Sequence, residues 1–348
     1  MFDPMAEIVP KVATDTPELS EKPNPLNPLM IVIDGCWAGL RLDALLAELY
    51  PDRSRTALAK AIKSGAASLD GQTARANSRV RAGQSLFFEV PFWGQEGELC
   101  PITPMDLEVI YRDDDIWVIN KPAGLTVHPA DGHVGPTLAG ALLALDPGLS
   151  GVGSPERPGI VHRLDKDTSG VMVVARNQAS FDLLCQAFAD RKVGKRYLAF
   201  VRGQIPDRGK IDSPIGRHPT QRHKMRAGAP SNREATTIFR TIRRYPKTGL
   251  SLVAVNLLTG RTHQARVHLA SIGAPILADK IYGRSLGSLK CDHPSLKPLL
   301  ARQFLHARRL TIPMLNGGQM IFRSPWPPDF RALLEELLRL ERENCLRP

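Results

Sequence analysis

The sequence predicts an α+β protein, with a large domain built on a mixed, mostly antiparallel sheet and a small module in front of it. Two observations indicate this fold class. Strand-like apolar runs follow one another in the large domain without the regular strand-helix alternation of a parallel doubly wound sheet. A stretch interrupted by glycine and proline, 92–104, sets this part apart from an earlier unit and reads as a linker. With 348 residues, 43% of them hydrophobic, the chain can form a core in each part.

The first part of the chain divides into a tail and a compact unit. Residues 1–33 are rich in proline and acidic residues and lack a periodic apolar pattern, so we expect a disordered tail. Leucines at helical spacing predict a helix over 42–49, and a capping serine begins a second helix over 54–63. An Asp-Gly turn at 70–71 and an apolar strand at 85–90 complete a unit of two helices and a few strands.

The large domain, predicted to span 105–348, opens with a hairpin. Its two strands, 107–111 and 116–119, flank a turn of three aspartates. The apolar patterns that follow predict further strands at 171–175, 197–201, 236–242 and 250–257, and helices at 137–145, 180–190, 264–272 and 330–342.

Positive charge is concentrated in one region of the chain. The formal net charge is +11, yet residues 191–266 alone contain 18 lysines and arginines against three acidic residues. This region therefore carries +15 and the remainder of the chain −4. A solvated surface usually mixes the two signs, whereas clustered cations are typical of proteins that neutralise phosphates. We therefore expect a nucleic acid as the partner.

The cysteines and the hydropathy pattern indicate a reducing compartment. The five cysteines are odd in number and contain no C-x-x-C pair, so we expect buried thiols rather than disulfides. No run reaches the roughly 18 apolar residues of a membrane span, and the N-terminus has no basic segment followed by an apolar core. The prediction is a cytoplasmic protein with no membrane contact.

Motifs for nucleotide cofactors and zinc are missing. The sequence has no G-x-x-x-x-G-K-[ST], no G-x-G-x-x-G opening a helix, no H-E-x-x-H and no clustered cysteines. His263 and His268 stand five residues apart on a predicted helix, which places them on different faces. We therefore expect hydrogen-bonded histidines in a polar cleft and no metal site.

A carboxylate in a polar turn is the most informative feature. Residues 159–170 read G-I-V-H-R-L-D-K-D-T-S-G and place Asp165 just before the buried strand at 171–175. A carboxylate in such a position needs hydrogen bonds or a cation, because burying an unpaired charge costs several kcal/mol. Arg163, two residues away, is one candidate partner. From residue types alone, an ion pair that only fixes the loop and a reactive carboxylate are equally plausible readings.

Two resemblances decide between these readings. Residues 38–91 resemble the S4 RNA-binding module, through R-L-D, a helix opening with S-R-T, a D-G turn and R-V-R-A-G before the last strand. Residues 105–330 resemble the RluA/RluD family of RNA pseudouridine synthases. The motifs that carry this second resemblance are N-K-P-A-G-L-T-V-H-P at 120–129, the turn around Asp165, K-R-Y-L-A at 195–199, T-G-R-T-H-Q-A-R-V-H-L at 259–269, I-Y-G at 281–283 and R-Q-F-L-H-A at 302–307.

The second resemblance implies a catalytic role for three residues. Asp165 corresponds to the aspartate that attacks the target uridine, so no cofactor is expected. Tyr197 corresponds to a tyrosine that stacks on the target base and assists proton transfer at C5, and Arg266 to the cation that pairs with the aspartate and keeps it ionised. Arg163 is then expected to approach the space that the flipped uridine vacates. His162 and Arg261 are expected to contact RNA.

The resemblance also bears on the substrate. An S4-like module in front of this domain is the arrangement of the branch that modifies large-subunit ribosomal RNA. We therefore expect a monomer acting on 23S ribosomal RNA or on a precursor of the large subunit. The alternatives are transfer RNA as substrate, a non-catalytic RNA-binding assembly factor, and an N-glycosidase, for which no separate base for water is evident. The chain departs from the family pattern at Ala265, Ala274 and Ala278, the last where glycine precedes aspartate.

Overall fold

A computed structural model of the chain forms two compact units, Met1–Trp93 and Gly94–Pro348. None of the helices described in it is long and apolar enough to cross a membrane. The predicted linker at 92–104 lies outside the described residues. Described are residues 28–51, 53–89, 107–129, 135–203, 205–221, 224–228, 233–283 and 294–343.

The first unit packs two helices against a four-stranded sheet. In chain order its elements are β1 (Leu29–Val32), α1 (Leu42–Leu49), α2 (Arg55–Lys63), β2 (Ala67–Leu69), β3 (Gln72–Thr73) and β4 (Ser85–Phe88), with the strand order β1-β4-β2-β3. The Ser54 side chain accepts a hydrogen bond from the backbone N–H of Ala57 and begins α2. Both helices occur where the leucine spacing and this cap predict them.

One boundary in this unit was predicted wrongly. The tail was expected to reach residue 33, but Leu29–Val32 form β1 and pair antiparallel with β4. Ile31 and Leu29 turn toward the core of this unit while Met30 and Val32 are exposed. Alternation over only four residues was too short to stand out beside the proline-rich segment before it.

The second unit is built on a nine-stranded sheet. Its strand order is β11-β14-β15-β10-β16-β9-β6-β5, with β17 paired to β16. All neighbouring strands are antiparallel except β16 and β9, so the predicted α+β class with a mixed, mostly antiparallel sheet is confirmed. The sheet strands are β5 (Val109–Arg112), β6 (Ile116–Lys121), β9 (Ser169–Ala175), β10 (Gly194–Arg202), β11 (Arg208–Asp212), β14 (Thr236–Tyr245), β15 (Leu250–Leu257), β16 (Leu305–Pro313) and β17 (Gln319–Arg323).

The described residues of this unit also form four α-helices and two small hairpins. The hairpins are β7 (Gly153–Ser154) with β8 (Arg157–Pro158), and β12 (Ile215–Arg217) with β13 (Met225–Ala227); the helices are α3 (Leu138–Leu145), α4 (Gln178–Ala189), α5 (Gln264–Ser271) and α6 (Pro328–Arg342). Each predicted helix of the large domain is present, with ends that shift by one or two residues. The sequence patterns missed three strands of the large sheet, β11, β16 and β17, and the strands of both small hairpins.

The sheet has two differently covered faces. Alternate residues of β10 point to opposite sides, so Tyr197 and Ala199 join one core while Leu198 and Phe200 join another. We call the side of Tyr197 the front face and the side of Leu198 the back face. On the back face, α6 buries Phe330, Leu333 and Leu337 against the sheet. The front face carries the cleft described below.

The prediction that the cysteines are buried thiols is not confirmed. Cys36 is exposed and Cys185 is partly exposed, and both are free thiols. Cys36 lies in a short 3₁₀ turn that contributes no buried residue, so the local structure gives its thiol no core to enter. Cys100, Cys291 and Cys345 lie outside the described residues.

Candidate active site

The turn that contains Asp165 is held from two sides. Its next residue, Lys166, offers a carbonyl oxygen that accepts hydrogen bonds from the Gly124 N–H at 2.9 Å and from Lys121 Nζ at 3.0 Å. Gly170, where the turn enters β9, has a φ of 123°, and a Cβ there would lie 2.3 Å from the Ala307 carbonyl oxygen. Only glycine fits this position. The turn is therefore fixed to both the 120–129 loop and β16.

Asp165 forms an ion pair with Arg266. Arg266 Nη1 donates a hydrogen bond of 3.0 Å to Asp165 Oδ2, across 101 residues of sequence. The same guanidinium binds Asp279 through two further hydrogen bonds, Nε to Oδ2 at 2.8 Å and Nη2 to Oδ1 at 3.0 Å. Because this second contact is bidentate, it fixes the plane of the guanidinium and directs Nη1 at Asp165. Arg266, and not the neighbouring Arg163, is the partner of Asp165.

Asp279, Arg266 and Asp165 form a triad whose side chains become more exposed in that order. The Asp279 side chain is 0% exposed, that of Arg266 5% and that of Asp165 19%. Burial raises the pKa of Asp279, but the Arg266 contacts and the N–H groups of Ile281 and Tyr282 outweigh it and lower the pKa. Burial likewise lowers the pKa of Arg266, and the two carboxylates outweigh it and raise the pKa. The Arg266–Asp279 pair is thus the buried end of the triad, and Asp165 is the carboxylate at its open end.

Tyr197 lines the same cleft from β10. Its side chain is buried in the front core, and burial together with the negative charge of Asp165 raises the pKa of its hydroxyl. The phenol therefore stays protonated at neutral pH. It presents an aromatic ring beside the carboxylate.

His263 approaches the other oxygen of Asp165. Its Nε2 lies 4.0 Å from Asp165 Oδ1, and its Nδ1 lies 2.8 Å from the Tyr282 hydroxyl. That hydroxyl already accepts the Met225 N–H at 2.9 Å, so its own hydrogen is available to Nδ1. Burial lowers the pKa of His263, which favours the neutral ring. The hydrogen-bond chain then assigns the ring proton to Nε2, facing Oδ1.

His263 holds this position at a cost in backbone conformation. It has a φ of 56°, in the left-handed region that a residue with a Cβ rarely adopts. It stands directly before α5, which carries Arg266. Strained positions of this kind concentrate at functional sites, where the surrounding structure enforces them.

Lys121 lies fully buried behind the turn. Its ammonium donates to the carbonyl oxygens of Pro122 at 2.7 Å, Leu125 at 2.8 Å and Lys166 at 3.0 Å. Burial lowers the pKa of Lys121 to about 7, against the charges of Asp167 and Asp165. The three carbonyl groups favour the charged form and satisfy all three of its protons. Lys121 thus connects the 120–129 loop to the Asp165 turn without reaching the cleft.

All six residues singled out from the sequence line one cleft of about 480 Å³. They are Asp165, Tyr197, Arg266, Arg163, His162 and Arg261. Arg163 is exposed at its rim, and Arg261 is partly held by a hydrogen bond from its Nε to the Glu234 carbonyl oxygen at 3.0 Å. A second cleft, of about 400 Å³, adjoins Asp165 from its other side and is also lined by Arg163, Lys166 and Lys280.

His162 has more of a structural role than its neighbours in the cleft. Its Nε2 accepts the Val173 N–H at 3.1 Å, and its ring stacks on Phe188 with centroids 4.7 Å apart. Burial, assisted by Lys195, lowers the pKa of His162 to about 3. The ring is neutral and offers its π-face and Nδ1, but no charge, to a ligand.

Sequence reasoning left out Asp279, His263 and Lys121 as site residues. Lys121 and His263 stand in motifs that carry the family resemblance, so their presence there was the available signal. Asp279 was signalled only by its place after Ala278, where the family has glycine before aspartate.

The described residues contain no group of three or more histidine, cysteine or acidic side chains able to hold a metal ion. His268 donates and accepts within the protein, at 2.8 Å from both Thr237 Oγ1 and the Ser213 carbonyl oxygen.

Ala278 provides a test of backbone strain beside the site. It has a φ of 58°, a conformation that glycine adopts without penalty. We expect Ala278→Gly to raise the free energy of unfolding by about 1 kcal/mol, because relief of the left-handed strain exceeds the entropy gained by the unfolded chain. Chemical denaturation measures this, with Ala274→Gly as the control: Ala274 is not among the left-handed residues, so its substitution should destabilise. A destabilised Ala278→Gly would contradict the strain argument.

Comparisons with known proteins identify the family of this chain. The family model described as RNA pseudouridylate synthase matches residues 115–271, which include Asp165, Tyr197 and Arg266. The ribosomal large subunit pseudouridine synthase D of Xanthomonas campestris pv. campestris is 42% identical over 313 residues, covering 88% of this chain and 91% of that protein. The protein of the same name from Pseudomonas aeruginosa is 41% identical over 309 residues, covering 88% and 94%.

A solved structure supports the same assignment. The structure of human RNA pseudouridylate synthase domain containing 4 has 28% sequence identity to this chain and a TM-score of 0.54. The match covers 66% of this chain and 93% of the human chain. The chain belongs to the RluA/RluD family of RNA pseudouridine synthases. It is an enzyme that isomerises uridine to pseudouridine in RNA.

Proposed function

We propose that this enzyme modifies uridines of 23S ribosomal RNA, with Asp165 as the catalytic residue, Tyr197 as the residue that contacts the base, and Arg266 as the residue that positions the aspartate. The observation that carries the proposal is the Arg266 contact to a single oxygen of Asp165, which leaves Oδ1 open to the cleft. The reaction needs no cofactor. The N1–C1′ bond breaks and a C5–C1′ bond forms. C5 loses its hydrogen as a proton, and N1 gains a proton.

The free oxygen of Asp165 suits each route by which a carboxylate can support this exchange. It can attack C1′, attack uracil C6, or stabilise a cationic ribose and remove a ribose proton on the way to a glycal. In every route the carboxylate must be ionised and accessible. Arg266, oriented by Asp279, places a positive charge beside the carboxylate, and the open side of the turn leaves Oδ1 accessible.

Tyr197 supports stacking more than proton abstraction. Because burial and Asp165 raise the pKa of its hydroxyl, a phenolate is scarce at neutral pH. The ring can stack on a uracil that has been turned out of the RNA. The protonated hydroxyl can donate a hydrogen bond while the base rotates.

His263 acts, in this proposal, as a hydrogen-bond donor beside Oδ1. The 4.0 Å gap is too long for a direct hydrogen bond and leaves room for a substrate hydroxyl to bridge Nε2–H and Oδ1. We expect His263→Asn to lower the single-turnover rate on the order of 10- to 100-fold, since a hydrogen bond to a charged group contributes roughly 1.5–3 kcal/mol. Asparagine tolerates the left-handed backbone, so the fold should persist. An unchanged rate at saturating enzyme would refute this role.

The names of the relatives support ribosomal RNA as the substrate. Three of them are named ribosomal large subunit pseudouridine synthase D, and the match covers more than 90% of each. The test incubates purified enzyme with transcripts of 23S ribosomal RNA and of transfer RNA and maps pseudouridine in each. The expected result is modification of defined positions in the ribosomal transcript alone. Modification of transfer RNA instead would contradict the substrate, and modification of neither would favour the assembly-factor alternative. A monomer and a cytoplasmic location remain predictions that accompany this substrate.

The first unit is proposed to bind RNA as an S4-like module. It exposes basic residues on and after α2, among them Lys63, Arg75 and Arg81. Removal of residues 1–92 should weaken binding to structured RNA and make its salt dependence shallower, while slowing the chemical step less. Filter binding over a range of salt concentrations and single-turnover rates on a short RNA measure the two effects. Equal affinity and an equal salt slope would refute the S4 assignment.

A further inference from the structure

A row of three arginines crosses the back face of the large sheet. Arg196 on β10 stands opposite Arg309 on β16, and Arg309 stands opposite Arg323 on β17. Arg196 and Arg323 are exposed and Arg309 is partly exposed. We call these residues the arginine row. Arg308, the extra residue at the irregular step in the β10–β16 pairing, adds a fourth cation beside them.

The arginine row has no acidic partner. Within the part of the chain that the structure describes, none of these four arginines forms an ion pair with a carboxylate. Arg196 Nε donates to Asn256 Oδ1 at 3.1 Å, and Arg308 Nη1 donates to the Ser324 carbonyl oxygen. Both acceptors are neutral. Burial lowers the pKa of Arg309, and its neighbours Arg196 and Arg323 lower it further.

Such a row does not stabilise the fold. Like charges directly opposite each other on neighbouring strands are destabilising. Carboxylates elsewhere in this unit do pair with exposed cations, as Asp207 does with Arg244 and Asp212 with Lys210. An anion bound to the arginines would offset the repulsion between them, which otherwise lowers the stability of the fold. The guanidinium groups, planar and always charged, match phosphate oxygens in bidentate geometry.

The arginine row is close to the cleft but separate from it. Lys195 and Arg196 are consecutive residues at the start of β10, and their side chains lie on opposite faces of the sheet. Lys195 lines the cleft, where its Nζ donates to the Thr259 carbonyl oxygen at 3.1 Å. A polyanion that passes the end of β10 can therefore contact both faces. Farther along the back face, Arg208 stands opposite Arg240 across β11 and β14 and extends the positive surface.

We propose that the arginine row binds the phosphodiester backbone of the RNA substrate at a segment away from the target uridine. The row thus forms a second contact face behind the cleft. It selects structured RNA that extends around the end of the sheet and contributes affinity rather than chemistry. The inference goes beyond the proposed function, because it requires only that the substrate is RNA and not that Asp165 is the nucleophile.

The test compares three full-length variants. The first is the triple variant R196Q/R309Q/R323Q, the second its charge-conserving counterpart R196K/R309K/R323K, and the third the control K297Q/R331Q/R342Q, which removes three exposed cations from the C-terminal region. The probe is a 23S ribosomal RNA transcript, and affinity is measured from low to high salt. Single-turnover rates at saturating enzyme and melting temperatures are measured in parallel.

The glutamine variant should bind about 10-fold more weakly or worse, with a salt slope lower by about 2 to 3, and keep its single-turnover rate. It should melt at the same temperature as the wild type or about 2 °C higher, because repulsion is removed. The lysine variant should keep most of the salt slope, and the control should bind like the wild type.

Three results would overturn the proposal. The first is a glutamine variant that binds RNA like the wild type. The second is an equal loss of affinity in the control, which would assign the effect to net charge alone. The third is poly-L-glutamate binding to the wild type but not to the glutamine variant while RNA affinity is equal in both, which would assign the row to an acidic protein. Because binding needs no turnover, none of these results depends on the role of Asp165.

Discussion

Replacing Asp165 with asparagine should abolish pseudouridine formation while RNA binding and folding persist. The amide keeps the size of the side chain and can still accept the Arg266 hydrogen bond through its oxygen. It lacks the negative charge that every route to the C5–C1′ bond requires. We expect the rate to fall on the order of 10³-fold or more, the scale seen when a nucleophile is removed. A single-turnover assay of pseudouridine in RNA measures it.

A neighbouring aspartate provides the matched control. Asp167 lies two residues away and lines the second cleft, but its side chain does not contact Arg266. Asp167→Asn makes the same chemical change in the same turn and should retain most of the activity. Activity retained by Asp165→Asn, or lost equally in both variants, would show that the turn and not this carboxylate supports the reaction.

Replacing Asp279 with asparagine should damage both stability and catalysis. Its carboxylate receives two hydrogen bonds from Arg266 in a fully buried position. The asparagine amide would face the guanidinium with a second donor and leave a buried cation with one acidic partner. Breaking a buried ion pair from one side costs about 3 kcal/mol or more, which lowers the melting temperature by roughly 6–12 °C. The freed guanidinium would also no longer direct Nη1 at Asp165.

An exposed ion pair provides the control for the loss of one negative charge alone. Asp212 pairs with Lys210 on the surface of the same unit, with both side chains more than half exposed. Asp212→Asn should change the melting temperature by no more than about 1 °C. Differential scanning calorimetry compares the two variants. Equal melting temperatures would refute the claim that the Arg266–Asp279 pair holds the site together.

Site residues that belong to the family motifs could be predicted from the sequence. Features that depend on the backbone conformation could not. Asp165 and Arg266 stand 101 positions apart, and only the family resemblance could connect them. Periodicity could not, because α5 is almost entirely buried and its apolar and polar residues mix, with Arg266 and His268 inside. Arg163, close in sequence, was the reasonable local choice. Its side chain is exposed at the rim of the cleft, whereas Leu164 and Thr168 of the same turn are buried.

The left-handed residues were beyond sequence reasoning. His263 combines a φ of 56° with a contact to Tyr282, 19 residues farther along the chain, which no local pattern contains. At Ala278 the departure from the family pattern was visible, and the structure explains it as a strained position that glycine would occupy without cost. The strand β16 was missed because Arg308 and Arg309 interrupt its apolar residues, and β17 because it has only three apolar residues before Arg323. Arg309 and Arg323 belong to the arginine row.

We propose that Asp165, in the cleft with Tyr197 and Arg266, converts uridines of 23S ribosomal RNA to pseudouridine. The most direct test maps pseudouridines by reverse-transcription stops in total RNA from cells that lack the gene and carry wild-type enzyme, Asp165→Asn or Asp167→Asn. We expect specific stops in 23S ribosomal RNA to disappear without the gene and to return with the wild type and with Asp167→Asn, but not with Asp165→Asn. Stops restored by Asp165→Asn, or lost only from transfer RNA, would contradict it.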